Sequence, residues 1–469
     1  MLRIAARRPR EAASFSRPLA LLVAGALFLE NLDGTVLQTA APAVARDFGV
    51  APAGVSPAIV GYLLAVAVAI PAAGWVAERY GTRRVFLWSV VGFTAASVAC
   101  ALAPDLLWLC VFRLAQGTAG ALMIPVGRIA VLRAVRPADL LAAMAYLTWP
   151  SLVAPVIAPF LGGVITDVLG WRWIFVLNVP IGVALAAGGA LLIPRNDEGI
   201  RTPLDRWGYL LTAGAVVCLT GGVELLRGGR PWTVAALVVA ATLLAGVAAQ
   251  GMARRPHPLF DPAVMRIRTF RVGNVSGSIY RLVITGAPFL FVLLFQAGFG
   301  WSAAAAGAMV TAVFVGNLAI KPLTSPIIRG LGFRRTLVWS IVAGAVTLLA
   351  FGWVHASTPA TVIAALLVFS GMVRSIGFSA YNTVMFADVP RDLLPAANGL
   401  SATLQQVGTA LGIAAAAAAA RLGTGLAGPD AVELGYRIAF VPFAALLLLP
   451  LAGALRLPAN AGEHAAARR

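Results

Sequence analysis

Apolar stretches recur along the whole chain, and short polar connections separate them. A helix of about 20 apolar residues crosses a hydrocarbon core of about 30 Å. Helix is the expected conformation, because lipid offers no hydrogen-bond partner to free backbone groups. The pattern predicts an all-α, polytopic membrane protein with about fourteen spans, at approximately 18–42, 56–77, 85–104, 106–132, 139–167, 173–193, 208–226, 232–252, 272–298, 303–326, 336–354, 358–380, 396–420 and 434–455.

A repeated segment divides these spans into two halves. Residues 71–84 read PAAGWVAERYGTRR and residues 322–335 read PLTSPIIRGLGFRR, so that Gly81 matches Gly332. Each copy lies between the second and third span of its half. The repeat therefore predicts a six plus two plus six arrangement of spans. The predicted segments are an N-terminal arm (1–17), a six-helix bundle (18–194), two inserted helices (195–252), a loop (253–271), a second six-helix bundle (272–456) and a tail (457–469).

The basic residues predict the orientation in the membrane. If both termini are cytoplasmic, 25 of the 36 basic residues lie in the arm, the inner connections and the tail. Five lie in outer connections and six lie within spans. Cytoplasmic loops carry an excess of lysine and arginine in membrane proteins. We therefore expect both termini, and the loop 253–271, to be cytoplasmic.

The composition excludes most other classes of protein. The chain is 60% hydrophobic and 12% charged, with a mean hydropathy of +0.88, whereas a soluble chain is about half apolar and about a quarter charged. The net charge of +18 is accounted for by membrane orientation, so no nucleic-acid partner is expected. Walker A, H-E-x-x-H and nucleophile-elbow motifs are absent from the sequence, and the histidines are scattered. We therefore expect no enzyme activity, no metal and no cofactor.

Charged residues inside predicted spans are the strongest functional candidates, because a charge in the bilayer is costly. Asp33 lies in the middle of the first span, where burial favours the neutral carboxyl group, and this makes it a candidate proton carrier. Glu30 lies on the same helical face. Arg113 stays charged and needs a carboxylate, a carbonyl or an aqueous cavity. A static ion pair is the alternative for Asp33 and Arg113, and it is the preferred interpretation of Glu30.

Segment 74–84 resembles motif A of the major facilitator superfamily, with Glu78 where the family usually has aspartate. A glycine allows the tight turn, and charges that pair with a helix end in one conformation only would act as a gate. The candidate gating residues are Gly74, Glu78, Arg79, Gly81, Arg83 and Arg84, with Gly332, Arg334 and Arg335 in the second copy.

Three further segments resemble a narrower group within that superfamily. Segment 29–42 is similar to motif D1 of the fourteen-span drug:proton antiporters of the EmrB/QacA type, with Gln38 where asparagine is usual. Segment 113–120 resembles motif B. Segment 171–182 is typical of the same group, and its tryptophans are interpreted as an interfacial aromatic belt.

A fourth segment resembles the antiporter motif C of the same group. It covers residues 154–163, with alanine replacing glycine before both Pro155 and Pro159. Two prolines four residues apart are expected to kink the helix. Gly162 and Gly163 are expected to let a neighbouring helix approach.

The resemblance covers approximately residues 18–456 and is closest to an MdtD-like multidrug-resistance branch, through 122–128, Arg281, Lys321 and 371–373. It implies the major facilitator fold and proton-coupled efflux of small organic compounds or drugs by alternating access. It also implies an inner (plasma) membrane location. The expected partners are protons, a small-molecule substrate and lipid, and we expect a monomer. An importer on the same fold is an alternative.

The charge of the substrate remains open at this point. Six basic residues but three acids, namely Glu30, Asp33 and Glu224, are expected in the middle of the membrane. A net positive cavity would favour an organic anion or carboxylate metabolite, unless the cationic side chains extend to the membrane surface. The candidate cavity residues are Gln38, Gln116, Arg128, Arg281, Lys321, Arg374, Asn382 and Gln405, with Asn317 and Gln406 as further polar positions.

Overall fold

The computed structural model describes residues 17–134, 140–195, 203–225, 231–255, 258–390, 393–428 and 430–458. These residues form α-helices joined by short turns, without a β-strand in the described ranges. Most of the predicted arm and tail lie outside these residues. The helices are α1 (Arg17–Asp47), α2 (Ser56–Tyr80), α3 (Thr82–Ala101), α4 (Leu106–Ala134), α5 (Leu140–Val168), α6 (Trp173–Val176), α7 (Asn178–Leu192), α8 (Arg206–Leu225), α9 (Pro231–Met252), α10 (Arg268–Leu293), α11 (Ala303–Ala319), α12 (Lys321–Ala350), α13 (Ala360–Val384), α14 (Leu394–Ala427), α15 (Val432–Ile438), α16 (Phe440–Leu448) and α17 (Pro450–Arg456).

Eleven helical stretches of the described residues are long and apolar enough to cross a membrane. Two shorter apolar helices, Val153–Val168 and Ala303–Ala319, accompany them. Large apolar side chains such as Trp88, Leu191 and Leu243 are exposed on the outer surface of the bundle, where a bilayer would cover them. The prediction of an all-α, multi-pass membrane protein is therefore confirmed.

The repeated segments adopt the same backbone turn in both halves. Gly81 separates α2 from α3 with φ 87° and ψ 137°, and Gly332 interrupts α12 with φ 75° and ψ 160°. Residues with a side chain rarely adopt a positive φ, so both turns favour glycine. The turn within α12 divides a long helix into two segments that take different directions.

Helix packing groups most of the elements into two halves. In the first half α1 packs on α5, while α4 packs on α2 and α3; in the second half α10 packs on α14, while α13 packs on α11 and α12. The halves meet where α5 contacts α11 and where α2 contacts α14. Helices α8 and α9 pack on each other, and α8 also contacts α2 and α14. This hairpin therefore lies beside the seam between the halves.

Candidate functional site

A buried ion pair joins α1 to α4. Arg113 Nη1 lies 2.6 Å from Asp33 Oδ2, and the two side chains are 0% and 1% exposed. The other carboxylate oxygen, Oδ1, accepts hydrogen bonds from Gln116 Nε2 at 3.0 Å and from Asn178 Nδ2 at 2.7 Å. Three helices of the first half therefore converge on one carboxylate, because α1 carries Asp33, α7 supplies Asn178 and α4 supplies both Arg113 and Gln116.

A second layer of polar groups holds this network in place. Ser97 Oγ, on α3, accepts hydrogen bonds from Gln116 at 2.7 Å and from Asn178 at 3.2 Å. Gln116 Oε1 accepts one from Arg113 Nη1 at 2.7 Å. Gln116 follows Arg113 by three residues, so both side chains lie on the same face of α4. These shared hydrogen bonds restrain the orientation of Asp33, Gln116 and Asn178.

A central cavity of about 370 Å³ lies beside the network. Helices of both halves line it, namely α1, α2 and α5 from the first half and α10, α11, α13 and α14 from the second. Its polar lining residues are Glu30, Asn31, Thr35, Gln38, Tyr62, Arg281, Thr285, Asn317, Arg374, Gln406 and Thr409. A cavity between two halves that contains a few polar groups is the usual form of a small-molecule site.

The ion pair and the cavity are adjacent but separate. Asp33 does not line the cavity, whereas Glu30, one helical turn earlier, does. Tyr62 connects the two features, because its ring lies 4.2 Å from the guanidinium carbon of Arg113 and it also lines the cavity.

The second half contributes cationic groups to the cavity. Arg374 is 8% exposed, and its Nε and Nη1 atoms have no hydrogen-bond partner among the described residues. Arg281 also lines the cavity, and its guanidinium carbon lies 4.3 Å from the centre of the Phe378 ring. Lys321 Nζ donates a hydrogen bond to Ser379 at 3.1 Å and lies 5.9 Å from the same ring. Phe378 therefore contacts two cations.

Some predicted cavity residues occupy other places. Gln116 is fully buried in the ion-pair network, and Lys321 does not line the cavity wall. The Asn382 Oδ1 atom accepts hydrogen bonds from Arg281 and from Gln405, each at 3.2 Å. Asn382 and Gln405 therefore hold the Arg281 side chain rather than line the cavity.

Two more charged residues of the predicted spans, Arg128 and Glu224, are not among the described lining residues of the cavity. Arg128 is an exposed residue of α4, outside the cavity wall. The side chain of Glu224 lies outside the described residues.

The motif C segment forms one of the two main contacts between the halves. A Cβ atom on Gly163 would overlap the backbone of Ala303, and one on Gly307 would overlap the carbonyl group of Pro159. The two glycines therefore let α5 and α11 approach at backbone distance. Gly162 faces Val36 of α1 in the same way, and Pro155 lines the cavity.

Further polar contacts close the same end of the bundle. The Asp167 carboxylate accepts hydrogen bonds from the backbone N–H groups of Ala303 and Ala304, at 3.1 and 2.7 Å. Gln296 donates to the carbonyl oxygen of Thr39 at 2.7 Å. These contacts join the first half to the second half at the end of the bundle where α1 and α5 finish.

The motif A residues lie around the Gly81 turn and its counterpart. Arg83 Nη2 donates a hydrogen bond to the carbonyl oxygen of Ala190 in α7. Glu78 and Gly74 are half-buried. The remaining candidate arginines are all exposed, namely Arg79, Arg84, Arg334 and Arg335.

The segment predicted as an aromatic belt has a different role. Trp171 is only 5% exposed, and its Nε1 donates a hydrogen bond to Asp47 at 3.1 Å. Arg172 pairs with the same carboxylate at 2.6 Å. Asn178, in the same segment, binds Asp33. The belt interpretation therefore does not fit buried Trp171 and stays a prediction for exposed Trp173.

A buried ion pair beside a cavity shared by two helical halves is the arrangement of a membrane transporter. The described residues contain no group of three or more His, Cys, Asp or Glu side chains that could hold a metal ion. The Major Facilitator Superfamily family model matches residues 23–413 and 273–468. The chain is 33% identical to the putative multidrug resistance protein MdtD of Klebsiella pneumoniae (strain 342), over 96% of each chain. It is 35% identical to the protein of that name from Cronobacter sakazakii, over 84% of each chain.

Solved structures share the fold. A bacterial homolog of the human lysosomal transporter Spinster, in an inward-facing and unoccupied conformation, has a TM-score of 0.67 at 15% identity and covers 94% of this chain and 97% of its own. A mutant of the nucleoside transporter NupG has a TM-score of 0.66 at 15% identity, covering 93% and 99%. The chain therefore belongs to the major facilitator superfamily and is a transporter rather than an enzyme.

Proposed function

We propose that this protein exports drugs or other small organic compounds from the cytoplasm in exchange for protons. Its similarity to putative multidrug resistance proteins supports efflux of drugs. The observation that carries proton coupling is the buried Asp33–Arg113 pair beside the central cavity. The proposal includes the fourteen-span arrangement, an inner-membrane location and cytoplasmic termini.

In this mechanism the ionised Asp33 is held by Arg113, Gln116 and Asn178. Proton uptake by the carboxylate removes the negative charge and weakens all three contacts, because each is a hydrogen bond to a charged acceptor. Arg113 is then a buried cation without its counterion, which is an expensive state. The pair therefore favours different arrangements of α1 and α4 in the protonated and ionised forms.

Alternating access needs an interface that opens on one side while it closes on the other. The contacts of Gly163, Gly307 and Asp167 close one end of the bundle. We assign this end to the outer side, and the arginine-rich turns at Gly81 and Gly332 to the inner side. The motif A residues then gate the inner side through charge pairs that form in one conformation only.

The direct test uses everted membrane vesicles that contain the protein. An imposed pH gradient, acid inside, should drive uptake of a dye such as ethidium into the vesicles, and collapse of the gradient should release it. Uptake that requires the opposite gradient would indicate an importer. Dye uptake at the same rate with and without a pH gradient would refute proton coupling, although the protein would still be a transporter.

A second candidate is export of an organic anion or carboxylate metabolite. The unpartnered Nε and Nη1 atoms of buried Arg374, together with Arg281 in the same cavity, favour it. An arginine fork binds a carboxylate with two hydrogen bonds. Glu30 is the acidic residue that lines the cavity, so two cations outnumber it.

Competition between carboxyfluorescein and ethidium decides between the two candidates. If the substrate is an anion, Arg374→Gln should raise the KM for carboxyfluorescein about tenfold, the effect of losing one hydrogen bond to a charged group. The control is Arg329→Gln, an exposed arginine of α12 outside the cavity. Preferential uptake of ethidium, unaffected by Arg374→Gln, would exclude the anion.

A further inference from the structure

A second cavity, of about 490 Å³, lies on the side of the bundle. Its walls come from the α8–α9 hairpin, from α14 and from the segment between α9 and α10, with Phe260, Pro262 and Met265 at one end. The volume lies within the range of natural ligand sites, about 300–1,000 Å³. We call it the side cavity.

The side cavity is chemically apolar. Its hydroxyl groups belong to Thr212, Thr242 and Thr403, and each donates a hydrogen bond to a carbonyl oxygen of its own helix. The remaining lining residues are alanine, valine, leucine, methionine, phenylalanine and proline. The cavity therefore offers contact surface but no free hydrogen bond, which suits a hydrocarbon chain.

The side cavity is distinct from the central cavity. Gln406 and Thr409 of α14 line the central cavity, whereas Leu404 and Val407 of the same helix line the side cavity. Val407 packs with Ala67 and Val216 in an apolar cluster, and the two cavities share no lining residue. The side cavity is therefore not an arm of the substrate site.

Lipid can reach the side cavity directly. Ala245 and Ala249 line the side cavity and are exposed on α9. Only 11% of the residues in the most apolar stretch of this helix are buried. A bilayer acyl chain would thus enter without any change of conformation.

Exposed positive charge lies at one end of the side cavity. Met252 and Met265 line the cavity, and Arg254 and Arg266 follow them closely in the chain and are both exposed. A third arginine of the segment, Arg255, is already neutralised by its ion pair with Asp205. Clusters of exposed arginines next to a membrane span attract anionic headgroups.

We propose that the side cavity binds an anionic phospholipid, with an acyl chain between α8, α9 and α14 and the phosphate group on Arg254 and Arg266. The bound lipid fills the space between the α8–α9 hairpin and α14 of the second half. This gives the two additional helices a function in lipid recognition, and it does not depend on the identity of the transported substrate.

Native mass spectrometry of the full-length protein in detergent tests the proposal. The probes are dioleoylphosphatidylglycerol and dioleoylphosphatidylcholine, added to delipidated protein. The wild type should retain phosphatidylglycerol in preference. Arg254→Gln and Arg266→Gln should each weaken that binding about fivefold, whereas Arg329→Gln, on α12, should not. Equal retention of both lipids by the wild type would overturn the assignment of the phosphate.

A second pair of variants tests the acyl chain. Ala249→Phe places a ring in the mouth of the side cavity and should reduce binding of both lipids. Val247→Phe adds the same ring on an exposed part of α9 that does not line the cavity, and it should bind lipid like the wild type. Both variants change exposed positions, and a monodisperse size-exclusion profile verifies folding.

Two results would refute the acyl-chain site. One is unchanged lipid binding by Ala249→Phe. The other is a combination of two observations: ethidium displaces phosphatidylglycerol in a one-to-one ratio, and Ala249→Phe loses ethidium transport. The side cavity would then be a substrate site.

Discussion

Replacement of Asp33 by asparagine separates proton coupling from transport. Asparagine has nearly the shape of a protonated carboxyl group but cannot release a proton. We expect Asp33→Asn to abolish uptake driven by a pH gradient in everted vesicles. Exchange of labelled for unlabelled substrate across the membrane, without a gradient, should persist because this exchange needs no proton.

The structure also sets the expected cost in stability. The Asp33 carboxylate accepts hydrogen bonds from Arg113, Gln116 and Asn178, whereas an asparagine offers one oxygen and one amide nitrogen. The amide N–H group of the new asparagine then faces at least one of these N–H donors. Arg113 is also left buried without its counterion. Removing one partner of a buried ion pair costs about 3–5 kcal/mol.

A double variant distinguishes lost folding from lost coupling. Asp33→Asn combined with Arg113→Gln removes both charges and should recover most of the lost stability, because neutral replacement of a buried pair is often tolerated. Thermal unfolding in detergent measures this recovery. Coupling should stay absent. Gradient-driven uptake at the wild-type level in either variant would show that Asp33 is not the proton carrier.

Three further substitutions test the ion-pair network, the contact between the halves and the motif A turn, with Gly246→Ala on exposed α9 as the glycine control. Asn178→Ala should cost about 1.5–3 kcal/mol of stability, as expected for a hydrogen bond to a charged group, and should weaken coupling; thermal unfolding that matches the wild type would argue against its contact with Asp33. Gly307→Ala should force α5 away from α11, costing about 1–3 kcal/mol, and slow the transport cycle measured by dye uptake. Gly81→Ala should cost about 1 kcal/mol or more because of its positive φ, and a neutral effect on unfolding would contradict that turn geometry.

Much of the fold could be predicted because its signals are local. Apolar stretches indicate the helices, and the repeated segments locate the turns at Gly81 and Gly332. The pairing of Asp33 with Arg113 was also accessible, since an intramembrane arginine needs a counterion. Span boundaries were less accurate at some helix ends, because apolar and small polar residues continue past them: α1 ends at Asp47 and α14 at Ala427, beyond the predicted ends at 42 and 420.

The lining of the site could not be predicted to the same degree. A helix that is apolar all round gives no amphipathic signal of which face is buried, so sequence alone could not tell whether Gln116 faces the cavity or the ion pair. Asn178 and Ser97 were missed because neutral polar residues occur in many spans as interhelical contacts. The one available signal for Asn178 was its place in the motif that follows Trp171.

The position of α1 explains how proton and substrate can influence each other without touching. Helix α1 supplies Glu30, Asn31, Thr35 and Gln38 to the central cavity, and it directs Asp33 into the network with Arg113. Coupling requires an element whose arrangement both ligands bias. We infer that α1 is this element: protonation loosens it from α4, while substrate acts on its cavity-lining residues. Direct displacement of the proton by substrate is then unnecessary, because the carboxylate lies outside the cavity wall.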